Sequence, residues 1–176
     1  MKIIAIAAVT AGGKTTVVSA LKDRLPNAAS LHFDDYSFKG EVLDFSEWLS
    51  EGADVNVWDL SPLKADIERM ISCGRYDFLL LDYPFGYQHD MIRDYLDCCI
   101  FIDTPLDIAM ARRVLRDMKE AAADEIRCEM ETYLTSARPA YTHMVKYHLS
   151  ASDNVIDGSK ELEDIISEAM DIILND

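Results

Sequence analysis

The sequence feature that most constrains the fold is the stretch from Ile3 to Thr16, which reads IIAIAAVTAGGKTT. Its first part, Ile3 to Val9, is entirely apolar, as is typical of a strand buried on both faces of a parallel sheet. A loop that contains Gly12 and Gly13 follows, and a helical pattern begins directly after it. Because this order of elements lets backbone N–H groups converge on phosphate oxygens, it predicts a phosphate-binding loop, or P-loop.

Individual residues of this loop have separate predicted roles. Lys14 would reach the β- and γ-phosphates of a nucleotide, and the Thr15 hydroxyl would bind Mg²⁺. Ala8 stands where the first glycine of the pattern usually does, so the sequence fits a looser form of it. The alternative is a tight strand-to-helix turn that happens to contain Gly-Gly-Lys. The predicted nucleotide-binding residues of the loop are Ala11, Gly12, Gly13, Lys14, Thr15 and Thr16.

Length, charge and cysteine usage restrict the class of protein. A chain of 176 residues most simply forms one domain, here residues 1–176. Its formal net charge of −15 argues against nucleic acid as a partner, because a phosphate backbone repels an acidic surface. The apolar runs are too short to span a membrane and no secretory signal is evident, so no membrane partner is expected. The cysteines form no CxxC pair and are expected to be buried, reduced thiols, which predicts a reducing compartment, most simply the cytoplasm: Cys73, Cys98, Cys99 and Cys128.

Two further apolar segments are followed by carboxylates. Ala29 to Phe33 predicts a strand that precedes Asp34 and Asp35, and Phe78 to Leu81 predicts one that ends in Asp82. Carboxylates directly after parallel strands lie at the edge of the sheet where α/β proteins bind ligands. The second segment also resembles the Walker B arrangement, in which the carboxylate holds Mg²⁺ or its water. For the first pair, solvated turn residues are the alternative.

The segment 106–120 carries three arginines in an otherwise acidic chain: Arg112, Arg113 and Arg116. On a helix, Arg112 and Arg116 share a face, and Arg113 and Arg116 nearly do. A helical lid whose guanidinium groups close onto transferring phosphates would explain the cluster. A solvated helix face with local charge pairs is the alternative.

Strands alternate with helices along the chain, which predicts an α/β fold. The expected architecture is a three-layer αβα P-loop NTPase with a five-stranded, mostly parallel sheet and a helical lid. Residues 37–56 are polar and irregular and predict a flap over the site. Ser61 is a plausible N-cap, and His89 is expected to be a surface turn residue. Arg138, which precedes a proline, is expected to interrupt a long helix over 124–146.

With these residues in place, the chain resembles the uridine kinase and nicotinamide riboside kinase family of P-loop nucleoside kinases. The similar segments span nearly the whole chain and are, in order, GGKTT, LHFDDYSF, VWDLSPL, LLLDYPFGY, RRVLRD and DNVIDGS. The resemblance implies ATP and Mg²⁺ as cofactors, and a nucleoside or riboside as the small-molecule acceptor.

The resemblance also implies roles for single residues at the acceptor. Asp34 matches the aspartate that takes the proton from the sugar 5′-hydroxyl, and Asp35 is its neighbour. Trp58 matches an aromatic residue that stacks on the base, and Asp59 matches the carboxylate that hydrogen-bonds the ribose hydroxyls. Asp82 stands where the family usually has glutamate, so it is expected either to hold Mg²⁺ or to contact the substrate.

The arginines fall in the family's lid, where such side chains meet ATP phosphates. The resemblance implies that Arg112 binds the nucleotide and that Arg113 and Arg116 act in catalysis together with Lys14. An arginine at a transferring phosphoryl group can be worth roughly 10³–10⁵ in rate.

Three functions are compatible with the sequence. The first is an ATP-dependent kinase that acts on a hydroxyl of a nucleoside-like molecule. The region between Asp35 and Trp58 is short for the base-reading hairpin of true uridine kinases, so a ribosyl compound such as nicotinamide riboside, or another small alcohol, fits as well as uridine. The second is a nucleoside monophosphate kinase, whose acceptor needs further cations, of which Arg138 is the obvious spare one. The third is a nucleotide-dependent switch or accessory ATPase without a small acceptor. The oligomeric state is left open, with a homodimer as one option.

Overall fold

A sheet of five parallel strands forms the centre of the molecule. The computed structural model describes residues 1–40 and 44–175. The strands are β1 (Lys2–Ala7), β2 (Ala28–His32), β3 (Phe78–Asp82), β4 (Cys98–Asp103) and β5 (Asn154–Asp157). They lie in the order β2-β3-β1-β4-β5, and each pair of neighbours is parallel. The strand that leads into the glycine-containing loop therefore lies in the middle of the sheet.

Helices cover both faces of this sheet. The described residues form α1 (Lys14–Arg24), α2 (Phe45–Ser50), α3 (Ser61–Cys73), α4 (Leu106–Asp117), α5 (Ala123–Thr132), α6 (Arg138–Ala151) and α7 (Leu162–Asn175). A π-helical segment, Tyr133–Ala137, joins α5 to α6. None of the helices in the described ranges is long and apolar enough to cross a membrane.

The apolar core lies in two layers, one on each face of the sheet. Ile4 and Ile6 of β1 pack with α1 and α7, whereas Ala5 and Ala7 pack with α3 and α6 on the other side. Successive side chains of a strand point to opposite faces, so a sheet that is covered on both sides needs an entirely apolar central strand. This is the physical reason for the apolar run at the start of the chain.

The predicted α/β fold is confirmed, with a sheet that is parallel throughout. Two local predictions are wrong. The N-cap of α3 is Leu60 rather than Ser61, whose N–H and hydroxyl instead donate to the Asp59 carboxylate at 3.1 and 2.5 Å. Arg138 does not interrupt the helix but begins α6 directly after the π-helical segment, and the proline after it lies in the first turn of α6, which its fixed φ suits.

Two further predictions are changed in part. Cys98 and Cys99 are buried in β4 as expected, but Cys73 and Cys128 are exposed. The predicted flap over 37–56 includes residues 41–43, which lie outside the described residues. Its described part contains α2, which begins at an N-cap, Asp44, that accepts hydrogen bonds from two backbone N–H groups.

Candidate functional site

The loop between β1 and α1 has the backbone of a phosphate-binding loop. Gly13 adopts a φ of 100°, in the left-handed region, directly before the first residue of α1. Gly12 donates its N–H to the Val9 carbonyl at 2.9 Å, and a Cβ at this position would lie 2.8 Å from the Cβ of Ala8. The loop therefore accommodates Ala8 because residue 12 has no side chain.

Thr104 supports this loop from the neighbouring strand. It follows the last residue of β4, is buried, and donates from its Oγ1 to the Gly12 carbonyl at 2.8 Å. The bond satisfies a buried backbone acceptor and fixes the loop against the sheet. Sequence reasoning missed this residue, because a threonine after a strand carries no signal of a partner that lies 92 positions earlier.

Lys14 lies at the start of α1, with its Nζ donating to the Ala8 carbonyl at 3.3 Å. Burial lowers the pKa of this ammonium group, while the charges of Asp82 and Asp34 oppose that effect and Arg116 reinforces it. A desolvated cation beside the loop gains an anionic partner when a phosphate binds, which offsets the cost of its burial. Its position agrees with a role in holding phosphate.

Asp82 is buried at the end of β3 and connects the loop to β2. Its Oδ2 accepts a hydrogen bond from Thr15 Oγ1 at 2.5 Å and lies 3.2 Å from Nδ1 of His32. The other ring nitrogen of His32 lies 3.0 Å from Ser30 Oγ. Because an ionised carboxylate only accepts hydrogen bonds, His32 donates from Nδ1 to Asp82 and accepts at Nε2 from the serine. This support by His32 was not predicted from the sequence.

Thr15 and Asp82 together fit a Mg²⁺ ion that is bound to nucleotide phosphates. Among residues 1–40 and 44–175, no group of three or more His, Cys, Asp or Glu side chains could hold a metal by itself. Mg²⁺ keeps several waters and is usually held by one or two carboxylates plus substrate phosphates, so no such group is required. A hydroxyl and a carboxylate, both hard oxygen donors, are the set that this mode of binding needs.

A cavity of about 660 Å³ opens at the loop. On the side of β5, its wall includes Lys160, Leu162 and Ile165. Another part of the wall is aromatic and includes Phe33, Phe45, Trp48, Trp58, Phe85 and Tyr141. We call this part of the wall the aromatic wing.

Trp58 forms part of the aromatic wing and is held by its neighbours. Only 7% of its surface is exposed; its ring centroid lies 5.0 Å from that of Phe85 and 6.0 Å from that of Trp48. His89 is buried, contrary to its predicted surface position, and its Nε2 lies 2.9 Å from the Trp58 carbonyl oxygen. Because Nδ1 of this histidine accepts the N–H of Met91, Nε2 carries the proton and donates to Trp58.

The remaining predicted acceptor residues divide into two groups. Asp34 lies in a short 3₁₀ turn after β2 and lines the cavity, close enough for its charge to act on Lys14. Asp35 is exposed in the same turn and does not line the cavity in the described structure. Asp59 is also outside the cavity wall, and hydrogen bonds from Ser61 lower the pKa of its carboxyl.

The lid arginines are likewise divided between two environments. Arg112 and Arg116 of α4 line the cavity. Arg116 also donates to Asp117 at 2.6 and 2.9 Å, and this hydrogen bonding, with a smaller effect from Asp34, raises its pKa. Arg113 is not part of the wall; its Nη2 lies 2.7 Å from Glu129 Oε1. The structure thus brings two of the three arginines to the phosphate-binding loop.

Comparison with known proteins agrees with this geometry. The Phosphoribulokinase / Uridine kinase family model matches residues 77–163. Curated uridine kinases from Borrelia hermsii (strain HS1 / DAH) and Chlamydia pneumoniae are each 25% identical to the chain, over 89% and 90% of its length and 86% and 82% of their own. The uridine kinase from Macrococcus caseolyticus (strain JCSC5402) is 26% identical over 88% of the chain and 86% of its own length. The resemblance to the uridine kinase family is confirmed.

Two solved structures share the fold across the whole chain. The deoxyadenosine kinase from M. mycoides, solved with dCMP and dCDP, superposes with a TM-score of 0.55 at 15% identity and covers 99% of this chain and 100% of its own. An uncharacterised protein from Eubacterium ventriosum ATCC 27560 gives a TM-score of 0.57 at 16% identity, with 99% of each chain covered. At such identities the likeness concerns the fold alone, and it agrees with the predicted fold of a P-loop kinase.

Proposed function

We propose that the protein is an ATP-dependent kinase that transfers the γ-phosphate to a hydroxyl of a nucleoside-like molecule. The observation that carries the proposal is a single cavity with a phosphate-binding loop at its centre and Asp34 on its wall. A kinase needs donor and acceptor to meet in one space, because phosphoryl transfer depends mainly on positioning and charge stabilisation. Similarity to curated uridine kinases over most of the chain supports the same class of reaction.

The charged groups at the phosphate-binding loop, on α4 and at Asp34 have separate proposed roles in this reaction. Asp34 accepts the proton of the attacking hydroxyl, as a carboxylate in a kinase site does. Lys14, Arg112 and Arg116 offset the charge on the phosphoryl oxygens. When bound, Mg²⁺ supplies further charge neutralisation, and Thr15 with Asp82 would hold it. The backbone N–H groups of the loop bind the phosphates between these side chains.

The aromatic wing is proposed to bind the base or ring of the acceptor. Trp58 and Phe85 offer large apolar surfaces, and stacking on such side chains accepts any flat heterocycle. This tolerance is compatible with a nucleoside or with another ribosyl compound. Asp59 keeps its predicted role at the ribose, and Asp35 keeps its predicted place beside Asp34. Both roles require these side chains to move toward the cavity when the acceptor binds.

A nucleoside monophosphate kinase is less well supported. Its acceptor carries a phosphate of its own and needs cations near the aromatic wing. Within the described residues, the cations of the cavity wall are Lys14, Arg112, Arg116 and Lys160, which lie at the loop, on the lid and on the β5 side. Arg138, the spare arginine, is exposed at the start of α6 and outside the wall.

A switch or accessory ATPase would use the loop without the aromatic wing. The two functions are separated by measuring ADP release from Mg·ATP across a panel of nucleosides, ribosides and nucleoside monophosphates. We expect a nucleoside or riboside to accelerate release well above the basal rate. Release that no acceptor accelerates would contradict the kinase proposal and favour the ATPase.

A variant of Asp34 tests its proposed role. Asp34→Asn should lower the rate of transfer by about 10²–10⁴, since an amide cannot accept the proton, while ATP affinity by calorimetry stays near that of the wild type. Asp94→Asn is a matched control, because Asp94 lies at the surface with its side chain 87% exposed. Equal losses of ATP binding and transfer in Asp34→Asn would assign the residue to metal binding or to structure instead.

We further propose a cytoplasmic location, for which the four cysteines and the nucleotide chemistry are the support. A nucleoside or riboside is the proposed partner, and no nucleic acid is expected at a surface with a net charge of −15. A homodimer stays a prediction, which the molar mass in solution, measured by light scattering, would test.

A further inference from the structure

Arg113 differs from the other lid arginines in what its guanidinium group contacts. Its Nη2 lies 2.7 Å from Glu129 Oε1 of α5, and its Nη1 donates to the Tyr141 hydroxyl of α6 at 3.5 Å. Its Nε lies 4.0 Å from Asp117 Oδ2 on its own helix. The donors of this side chain are therefore directed at protein groups.

The direction of Arg113 on α4 explains this difference. Arg112 and Arg116 are four residues apart and point about 40° from each other, whereas Arg113 points about 100° from Arg112 and about 60° from Arg116, on the far side from Arg112. The first two line the cavity and Arg113 does not. A phosphate in the cavity would meet the first two side chains before it met the third.

The contacts of Arg113 join three helices, α4, α5 and α6, of which α4 and α6 contribute residues to the cavity wall. Glu129 lies on α5 and Tyr141 on α6, and Tyr141 itself lines the cavity. The side chains of Arg113 and Glu129 are only 28% and 30% exposed, so their ion pair is less screened by solvent than a pair on the open surface. The pair thus restrains how α4 lies against α5, and the contact with Tyr141 restrains it against α6.

We propose that Arg113 is a positioning residue: together with Glu129 and Tyr141 it holds α4 so that Arg112 and Arg116 face the phosphate-binding loop. This inference rests on the proposed kinase function of the same site, and it replaces the catalytic role that the family resemblance implies for Arg113. Its consequence is that an acidic residue outside the cavity, Glu129, contributes to nucleotide binding. A catalytic Arg113 would have no such dependence.

A double-mutant cycle on Arg113 and Glu129 tests the proposal. Arg113→Gln and Glu129→Gln should each weaken ATP binding by about tenfold, and the double variant should be no weaker than either single one, because both remove the same contact. kcat should change less than KM for ATP, because the side chains that contact the phosphates are still present. ATP affinity is measured by calorimetry, which does not need an acceptor.

Two outcomes would overturn the proposal. If Glu129→Gln leaves ATP affinity and kcat unchanged while Arg113→Gln lowers kcat by about 10³ or more, Arg113 acts on the phosphoryl group directly. If the effects of the two single variants add in the double variant, the ion pair does not couple them. A wild-type protein that binds ATP but phosphorylates no acceptor would contradict the proposed function. The ATP affinities of the variants could still be compared in that case.

Control variants separate positioning from general damage to the fold. Arg127→Gln removes an exposed ion pair with Asp124 at 2.7 Å within α5 and should leave ATP affinity unchanged. Where the single variants fold poorly, the charge-reversed double variant Arg113→Glu with Glu129→Arg is a second test. It restores the attraction with the charges exchanged, so it should recover most of the lost ATP affinity. Failure of this pair to recover any affinity, with a folded protein by circular dichroism, would count against positioning.

Discussion

The support of Asp82 by His32 shows how one residue outside the cavity wall can determine the geometry within it. Both hydrogen bonds, from Thr15 and from His32, go to the same carboxylate oxygen, Oδ2. The carboxylate is thereby held in one rotamer, although aspartate is shorter than the glutamate expected at this position. Mutation of a side chain that orients a metal ligand typically lowers metal affinity by roughly 10–100-fold.

Substitution of His32 tests this support. His32→Ala should raise the Mg²⁺ concentration needed for half-maximal ATP binding by about tenfold, because Asp82 loses the donor that orients it. His32→Asn, whose side-chain N–H can replace Nδ1, should recover most of the effect. Calorimetric titrations of ATP at several Mg²⁺ concentrations measure both variants.

Ser30→Ala serves as the comparison for His32, since it removes only the hydroxyl at the far side of the imidazole and leaves the bond to Asp82. We expect an effect several times smaller than that of His32→Ala. Equal Mg²⁺ dependence in the wild type and His32→Ala would show that Asp82 needs no support from β2.

Sequence reasoning found the residues that belong to a recognisable local pattern and missed those defined by distant partners. Lys14 and Thr15 follow the loop after the first apolar strand, and Asp82 ends another such strand. Their positions at the edge of the sheet could therefore be predicted. His32 and Thr104 have partners 50 and 92 positions away. No local pattern encodes such pairs, because they depend on which strands become neighbours.

At the scale of elements, the turn after β4 holds the phosphate-binding loop in place through Thr104. Among the described side chains, the Thr104 hydroxyl is the one that donates to the Gly12 carbonyl, and the threonine is only 2% exposed. A buried carbonyl without a donor costs about 1–3 kcal/mol. The shape of the loop therefore depends on a residue in the turn after β4.

Thr104→Val tests this connection, since valine keeps the shape of the side chain and removes the donor. We expect the free energy of unfolding to fall by about 1–3 kcal/mol, together with weaker ATP binding, because the loop can then leave its phosphate-binding conformation. Urea unfolding and calorimetry measure the two effects. Thr142→Val, which removes an exposed hydroxyl bonded within α6, should change neither; equal behaviour of the two variants would contradict the role of Thr104.

The boundaries of strands and helices could be predicted where one effect, such as burial on both faces, determines them. They were harder to predict where a residue has more than one favourable role. The strands of the sheet were predicted to within a residue or two, because burial on both faces demands apolar runs. The start of α3 was misjudged, since Ser61 is a good N-cap residue in isolation but here donates to Asp59. Arg138 was misjudged because a proline after it reads equally well as a helix break and as a first helical turn.

At the scale of the whole molecule, one buried histidine makes stability depend on pH. His148 of α6 is 3% exposed, stacks on Phe101 with centroids 5.5 Å apart, and has no hydrogen-bond partner for Nε2 among the described residues. Burial, with a smaller effect from the charge of Lys14, lowers its pKa from 6.5 to about 4. Cys99, nearby in β4, has a pKa raised to about 11 by burial and stays neutral in the acidic range.

The sign of the resulting pH dependence follows from proton binding. Between pH 6.5 and pH 4 the unfolded chain protonates this histidine and the folded chain does not, so stability falls as the pH falls. Between pH 7 and pH 5 the loss amounts to roughly 2 kcal/mol, at about 1.4 kcal/mol per pKa unit. Urea unfolding of the wild type and of His148→Leu should differ by that amount over this range; parallel curves would contradict it.

The π-helical segment between α5 and α6 has a consequence for the spacing of the chain. Glu129 and Tyr141 are twelve positions apart, which on a regular helix of 3.6 residues per turn would leave them about 120° apart around the axis. A π turn accommodates about one extra residue and so reduces the angle between the two side chains by about 100°. The segment Tyr133–Ala137 thus brings Glu129 and Tyr141 to nearly the same side of the helix, where the Arg113 guanidinium contacts both. A chain shortened by one residue there could form a regular α-helix, in which eleven positions leave the two residues only about 20° apart. The π turn therefore offsets the extra residue, and the contacts of Arg113 depend on the π turn for as long as that residue is present.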